Sequence, residues 1–291
     1  MIAIVAGFIA VVCQSVFYLA VRRAQVHLLI PGLTVNMQMH WQIGFVAWPV
    51  ALMFWPEHLS WQGHLYLLGA SAMYWVAQIC LFTALKQVSS SQVAPLLALK
   101  LIVVGLGSTL FLNAELSDTQ WQAVFLATLS AVFLSVGAQR PPLSATLLTL
   151  GTVTMFSLSD ISLGAMINEL DVSDIFNKTV FVLSYAYGIN SLFTLPTRPW
   201  RLDQHAVKAC IPLSLLCILT MIFLFTSFVV GGIVVGNLML ATRGLVTIVV
   251  IFALKSYLEA GVEPVVSPAV WMRRIVAATG MLISVSWYIS G

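Results

Sequence analysis

Long apolar runs, broken by short polar punctuation, dominate the chain. A helix needs about 20 mostly apolar residues to cross a bilayer. Read with that ruler, the sequence predicts ten spans, at 2–20, 36–55, 64–85, 91–112, 119–138, 144–167, 176–195, 207–229, 233–254 and 270–289. Turn formers fall between them: Pro31-Gly32, Pro56, Pro141-Pro142, Pro196, Pro199, Pro264 and Pro268. The connections are short and leave no room for a soluble catalytic or regulatory domain. A secretory leader needs a basic region ahead of its apolar core. Met1 to Ala20 carries no side-chain charge and the first basic pair, Arg22-Arg23, follows it. This run is therefore expected to remain as the first membrane helix.

Composition sharpens the picture. Apolar residues make up 60% of the 291 positions and charged residues only 8%, against roughly 25% charged in soluble domains. Mean hydropathy is +0.99. A soluble fold of this size cannot hide so much apolar surface. A soluble enzyme, a nucleic-acid binder and a disordered scaffold are excluded, and the net charge of +3 adds nothing in favour of nucleic acid. Cys13, Cys80, Cys210 and Cys217 form no CxxC pair and sit in apolar runs, so they read as small buried hydrophobes. No metal and no cofactor is expected.

Charge placement carries more information. Arg22, Arg23, Lys86, Arg140, Arg198, Arg201, Lys208, Lys255, Arg273 and Arg274 flank the loops after the odd-numbered spans, whereas only Lys178 flanks the other side. The positive-inside rule then puts the odd loops in the cytoplasm and both termini outside. In residues 1–140 the basic loops follow the first and third spans; in 141–291 they follow the second and fourth. Two halves with opposite charge phase lie in opposite orientations, an inverted repeat. The expected fold is an all-α integral membrane protein of ten transmembrane helices in two inverted five-helix repeats. Val93-Ala94-Pro95-Leu96-Leu97 aligns loosely with Val235-Gly236-Asn237-Leu238-Met239, which brings Lys100 within one residue of the counterpart of Arg243.

The chain resembles the drug/metabolite transporter superfamily, in particular its EamA-type bacterial members. Ala84-Leu85 and Ser91-Gln92-Val93-Ala94-Pro95-Leu96-Leu97 are similar to the family's fourth helix, and Glu115-Leu116-Ser117-Asp118-Thr119-Gln120-Trp121 to its turn into the fifth. Tyr257-Leu258-Glu259-Ala260-Gly261 is only an approximate second copy of that turn. The resemblance implies solute transport by alternating access, with a cavity lined by helices 1, 3, 4, 6, 8 and 9. It also implies a bacterial inner-membrane location. The family habit of cytoplasmic termini conflicts with the charge pattern, which places them outside.

Lys100 and Arg243 are expected near the middle of their spans. A cation there costs about 2.5–3.5 kcal/mol on insertion scales, so both are expected to face the bundle interior. Leu96, Lys100, Val103 and Gly107 share one helix face, as do Gly236, Arg243 and Thr247. One reading is a pair of cations for an anionic substrate group; Arg grips a carboxylate, sulfonate or phosphate with two parallel hydrogen bonds. The other is a structural ion pair. Asp160, beside Ser157 and Gly164, reads as a counter-ion, a proton site, a ligand for an amine or a structural carboxylate. Gly7, Gln14 and Tyr18 share a face of the first span, and Tyr74 and Gln78, with Trp75 beside them, share one of the third. These polar groups line a cavity or bond between helices. His40 and Trp41 are expected near an interface, and His27, His58, His64 and His205 at loops or helix ends facing water.

No GxxxxGK[ST], HExxH or GxSxG pattern occurs, so neither ATP-driven transport by this chain nor enzymatic activity is expected. The expected function is secondary transport of a small anionic or zwitterionic metabolite, an amino acid derivative or an organic acid. The alternatives are a broad-specificity drug exporter and a membrane subunit handling a lipid-linked phosphate. The expected partners are a small solute and the lipid bilayer, and the chain is a monomer or a homodimer.

Overall fold

A computed structural model describes residues 1–85, 87, 96–97, 99–133, 142–194, 204–253 and 268–291. Lys86, the Ser91–Pro95 segment, Arg140, Arg198, Arg201, Lys255 and the Tyr257–Gly261 segment lie outside them. The described chain is helical: α1 (Ile2–Val26), α2 (Gly32–Met53), α3 (Trp61–Leu85), α4 (Lys100–Phe111), α5 (Asp118–Phe133), α6 (Leu143–Glu169), α7 (Ile175–Thr194), α8 (Gln204–Ala241), α9 (Arg243–Ala253) and α10 (Pro268–Ser290). Four stretches among the described residues are long and apolar enough to cross a membrane: Ile2–Gln25, Trp61–Ala84, Leu143–Glu169 and Gln204–Ala241.

Side-chain chemistry sets the helix ends. Ser117 Oγ accepts from the Gln120 amide (3.2 Å) while Gln120 Oε1 accepts from the Ser117 amide (3.0 Å). This reciprocal capping box starts α5. Asp174 Oδ1 accepts from the Asn177 amide (2.6 Å) and starts α7. Lys178 Nζ then donates to the Ile167 carbonyl (3.0 Å) in the last turn of α6. A cation belongs there, because the last carbonyls of a helix lack partners and carry partial negative charge. The one basic residue on the acidic side of the charge pattern thus ties two helices together.

Two of the helices that begin earlier than expected change the placement of a histidine. Pro31, with φ −57° and ψ 136°, is the N-cap of α2 rather than a turn residue beyond it. The helix starts at Gly32, so His40 lies two turns deep instead of at an interface. Likewise α3 starts at Trp61, and His64 sits a turn inside with Nδ1 2.8 Å from the Tyr185 hydroxyl. His27, His58 and His205 are exposed, as expected. The expected gap between 207–229 and 233–254 appears as a break inside α8 at Gly232, where φ is 79° and ψ 164°. Only glycine adopts that region readily.

Helix pairs build the interior: α1 packs on α8, α3 on α6, α2 on α7 and α5 on α10, with α4 against α6 and α9 against α1. Close approach between α1 and α8 depends on Gly7, where a Cβ would fall 2.6 Å from Met239 Cγ and 3.2 Å from Ser227 Oγ. The outside is apolar: Phe45, Leu52, Leu110, Phe111, Leu129 and Leu215 are exposed. The inside holds Ser15, Asn36, His40, Ser71, Thr152, Ser157, Asp160 and Asn237. Many buried hydroxyls satisfy themselves within their own helix, as Ser15 does on the Val11 carbonyl and Ser157 on the Val153 carbonyl. Others stitch helices together. Ser159 Oγ donates to the Ala70 carbonyl (2.8 Å) between α6 and α3, and Gln42 Nε2 to the Val207 carbonyl (2.8 Å) between α2 and α8.

Candidate functional site

Lys100 and Arg243 each open a short helix. They are the first residues of α4 and α9, not mid-helix residues of continuous spans. A tight turn precedes each one: the Leu99 amide donates to the Leu96 carbonyl (3.1 Å), and the Thr242 amide to the Met239 carbonyl (3.0 Å). The two turns lie 143 residues apart, as do Lys100 and Arg243.

Around Lys100 the structure gathers a charged cluster. Lys100 Nζ lies 2.7 Å from Asp160 Oδ2. Asn237 Nδ2 donates to the same oxygen at 2.6 Å and to the Ile233 carbonyl of its own helix at 2.9 Å. Asp160 is 7% exposed. A buried carboxylate needs such a set of donors, because removing an ion from water is costly unless its lone pairs are met. Lys100 Nζ also stands 5.4 Å from the centre of the Phe156 ring. Gly107, on the Lys100 face of α4, packs directly on Ile161 of α6.

Arg243 has different company. Its Nη1 donates to Gln14 Oε1 (3.3 Å), and its guanidinium carbon lies 4.9 Å from the centre of the Tyr18 ring. Thr247 Oγ1, one turn further along α9, bonds Ser15 Oγ at 3.0 Å. Among the described residues no carboxylate lies within ion-pair distance of Arg243. Gln14 is buried and Tyr18 is 40% exposed.

Tyr74 connects the surroundings. Gln78 Nε2 donates to its hydroxyl (2.7 Å), so these two expected site residues meet each other. The Tyr74 ring lies 5.4 Å from Phe156 and 6.3 Å from Tyr187, centre to centre. Trp75 is buried, with its ring 6.3 Å from His40. The side chains named in this region come from α1, α3, α4, α6, α8 and α9, with Tyr187 from α7 and His40 from α2.

Three participants escape the sequence reading. Asn237 appears there only as a letter in the loose alignment, although an amide in an apolar run needs a partner. Phe156 and Tyr187 carry no local signal that separates them from ordinary core aromatics. Among the described residues no group of His, Cys, Asp and Glu is arranged to hold a metal ion.

Residues 1–136 match the profile of the EamA-like transporter family. No curated protein matches the chain. A crystal structure described simply as that of a protein superposes with a TM-score of 0.70 at 14% identity, covering 99% of this chain and 98% of the other. At that identity the likeness speaks for the fold alone.

Proposed function

We propose, from the premise that residues 1–136 belong to the EamA-like transporter family, that this membrane protein is a secondary transporter of a small anionic or zwitterionic metabolite. An amino acid derivative or an organic acid fits best. One observation carries this reading: of the two matched cations, Lys100 is neutralised by Asp160 while Arg243 is held by an amide and a phenol ring. The local sum is one positive charge. Such a site favours one carboxylate, sulfonate or phosphate group, which Arg grips through two parallel hydrogen bonds. Asp160 balances the charge, and Gln14, Tyr18, Tyr74 and Gln78 shape the surroundings, with Trp75 behind them.

Alternating access between two inverted five-helix halves is the mechanism we infer. The packing supports it. Exchanging first-half helices for their second-half counterparts turns α1 on α8 into α6 on α3, and α4 on α6 into α9 on α1. The pairs α2 on α7 and α5 on α10 map onto themselves. The equivalent turns ahead of Lys100 and Arg243 support it further. Helix starts next to an interruption are where transporters of this architecture hold anions, because the first amides lack partners and carry partial positive charge. The charge pattern supports outside termini in a bacterial inner membrane.

The test is a thermal-shift screen of the purified chain against organic carboxylates, sulfonates, phosphomonoesters and amino acid derivatives, followed by uptake in vesicles. Binding stabilises the native state by mass action. Stabilising solutes are expected to be anions or zwitterions, and Arg243→Gln is expected to remove their effect. A drug-like profile of lipophilic cations, indifferent to Arg243→Gln and Lys100→Met, would overturn the reading.

A further inference from the structure

His40 is a fully buried polar residue of the bundle. Neither Nδ1 nor Nε2 has a hydrogen-bond partner. The ring stacks on Tyr187 (centres 5.5 Å apart, planes 23° apart) and meets Tyr74 and Trp75 near right angles at 5.6 and 6.3 Å. A neutral imidazole has one N–H donor and one lone pair, and here both are withheld from water and from protein. Asn36 Nδ2, one turn earlier on α2, and Asn190 Oδ1, three residues beyond Tyr187 on α7, are also buried without partners. Buried polar groups are nearly always paired, so a set of orphans calls for a reason.

The titratable groups facing the ring are Tyr74 from α3 and Tyr187 from α7, with Cys217 of α8 at 3.9 Å from the Tyr187 hydroxyl. Among the described residues no carboxylate, Lys or Arg contacts His40. Lys100 and Asp160 are reached through Tyr74 and then Phe156. In this packing an imidazolium would be a buried charge without a counter-ion, its nearest groups being aromatic rings. With α2, α3 and α7 parted and water admitted, the same ring has the ordinary proton affinity of histidine, midpoint about 6.5.

We propose that His40 is the proton-binding site that couples the transport cycle to the proton gradient; this rests on the alternating-access reading above. The proton arrives from water on one side and binds the imidazole lone pair in an opened arrangement of α2, α3 and α7. It leaves to water on the opposite side before those helices repack around the neutral ring. Tyr74 carries the event to the solute site, because its ring touches His40 on one side and Phe156, next to Lys100, on the other. A proton taken up only by the opened state shifts the population toward that state as pH falls. Where the opened state titrates as an ordinary histidine, about 6.5, and the packed state takes up no proton between pH 7.5 and 5.5, the ratio of opened to packed protein rises about tenfold over that range.

The experiment needs no solute, so its outcome is separate from the screen above. The full chain in lipid nanodiscs is compared by hydrogen–deuterium exchange at pH 7.5 and 5.5, corrected for the intrinsic pH dependence of exchange. Segments 32–53, 61–85 and 175–194 are read. Opening is expected to rise about tenfold at the lower pH in the wild type and to lose that response in His40→Gln. His40→Phe keeps an aromatic ring on Tyr187 without a proton site, so it is expected to stay packed at both pH values. It also covers the case of a misfolded Gln variant. His64→Gln removes the half-buried histidine that pairs with Tyr185 and is expected to respond as the wild type does. Equal corrected exchange at both pH values in the wild type overturns the proposal. So does a pH response that survives His40→Phe or disappears in His64→Gln.

Discussion

Lys100 and Arg243 hold the same place in their helices and meet different neighbours. Each opens a short helix behind a tight turn; Lys100 reaches α6 and Arg243 reaches α1. Lys100 finds the carboxylate of Asp160, whereas Arg243 finds the amide of Gln14. The difference is one of occupancy. A partly buried cation on a buried carboxylate is electrically complete, and breaking such a pair is expensive because it strands a charge. A cation on an amide and a ring face keeps its full charge and has donors to spare. The two positions differ as a closed site and an open one. Like backbone settings therefore carry unlike charge, which under the proposed function leaves Arg243 as the cation that meets an anion.

The largest expected effect comes from breaking the closed site. Asp160→Asn leaves Lys100, whose side chain is 18% exposed, without its counter-ion and is expected to cost about 3 kcal/mol, the lower end for an enclosed pair, read as a fall in melting temperature at a fixed scan rate. Adding Lys100→Met to that variant removes the stranded charge and is expected to recover most of the loss, the non-additivity expected of contacting residues. If the double variant is as unstable as the single one, the pair is not the closed unit described above.

A smaller loss is expected from Asn237→Leu. It removes one of the two donors on Asp160 Oδ2 but leaves Lys100 in place. The loss of a hydrogen bond to a charged group costs about 1.5–3 kcal/mol, read by the same melting measurement. The variant separates the contribution of the amide from that of the ion pair. A neutral outcome would mean that Lys100 alone satisfies Asp160.

How much of this was legible in the chain depends on the kind of signal. The helix faces were: Gly107 packs on α6 and Thr247 on α1, because periodicity places side chains whatever the exact end of the helix. The pairing of Lys100 with Asp160 was named as an alternative on charge alone, since few ionised groups lie in the spans. The turns before Lys100 and Arg243 were not legible. An apolar run looks the same whether its amides bond four residues back or three, and no glycine or proline marks either turn at its centre. The pattern puts His40 at an interface because Pro31-Gly32 reads as a turn outside α2, whereas a proline supplies both a cap and a turn with the same φ. That four-residue shift moved a histidine from an interface to a core.

The next expectation makes the two sites alike. Gln14→Glu gives Arg243 the carboxylate that Lys100 already has. Binding of the anions found in the screen is expected to weaken at least tenfold, about 1.4 kcal/mol, while the melting temperature of the empty protein stays level or rises. That combination distinguishes a filled site from a damaged one. Unchanged anion binding would remove Arg243 from the anion site and with it the asymmetry between the halves.

The smallest expected effect concerns the ring under Arg243. Tyr18 is 40% exposed, so its attraction for the guanidinium acts partly through water and is worth about 0.5–1 kcal/mol. Tyr18→Phe keeps the ring face and is expected to change both stability and anion binding by less than about 0.5 kcal/mol. Tyr18→Leu keeps apolar bulk but removes the π face, and is expected to loosen Arg243 and weaken anion binding by about twofold to fivefold in the same screen. Lys100 has an equivalent ring contact with Phe156, but there the ion pair with Asp160 sets the position of the amine. Phe156→Leu is accordingly expected to leave the closed site in place. If Tyr18→Leu and Phe156→Leu prove alike in anion binding, the two rings do the same job. The open site would then owe its character to Gln14 alone.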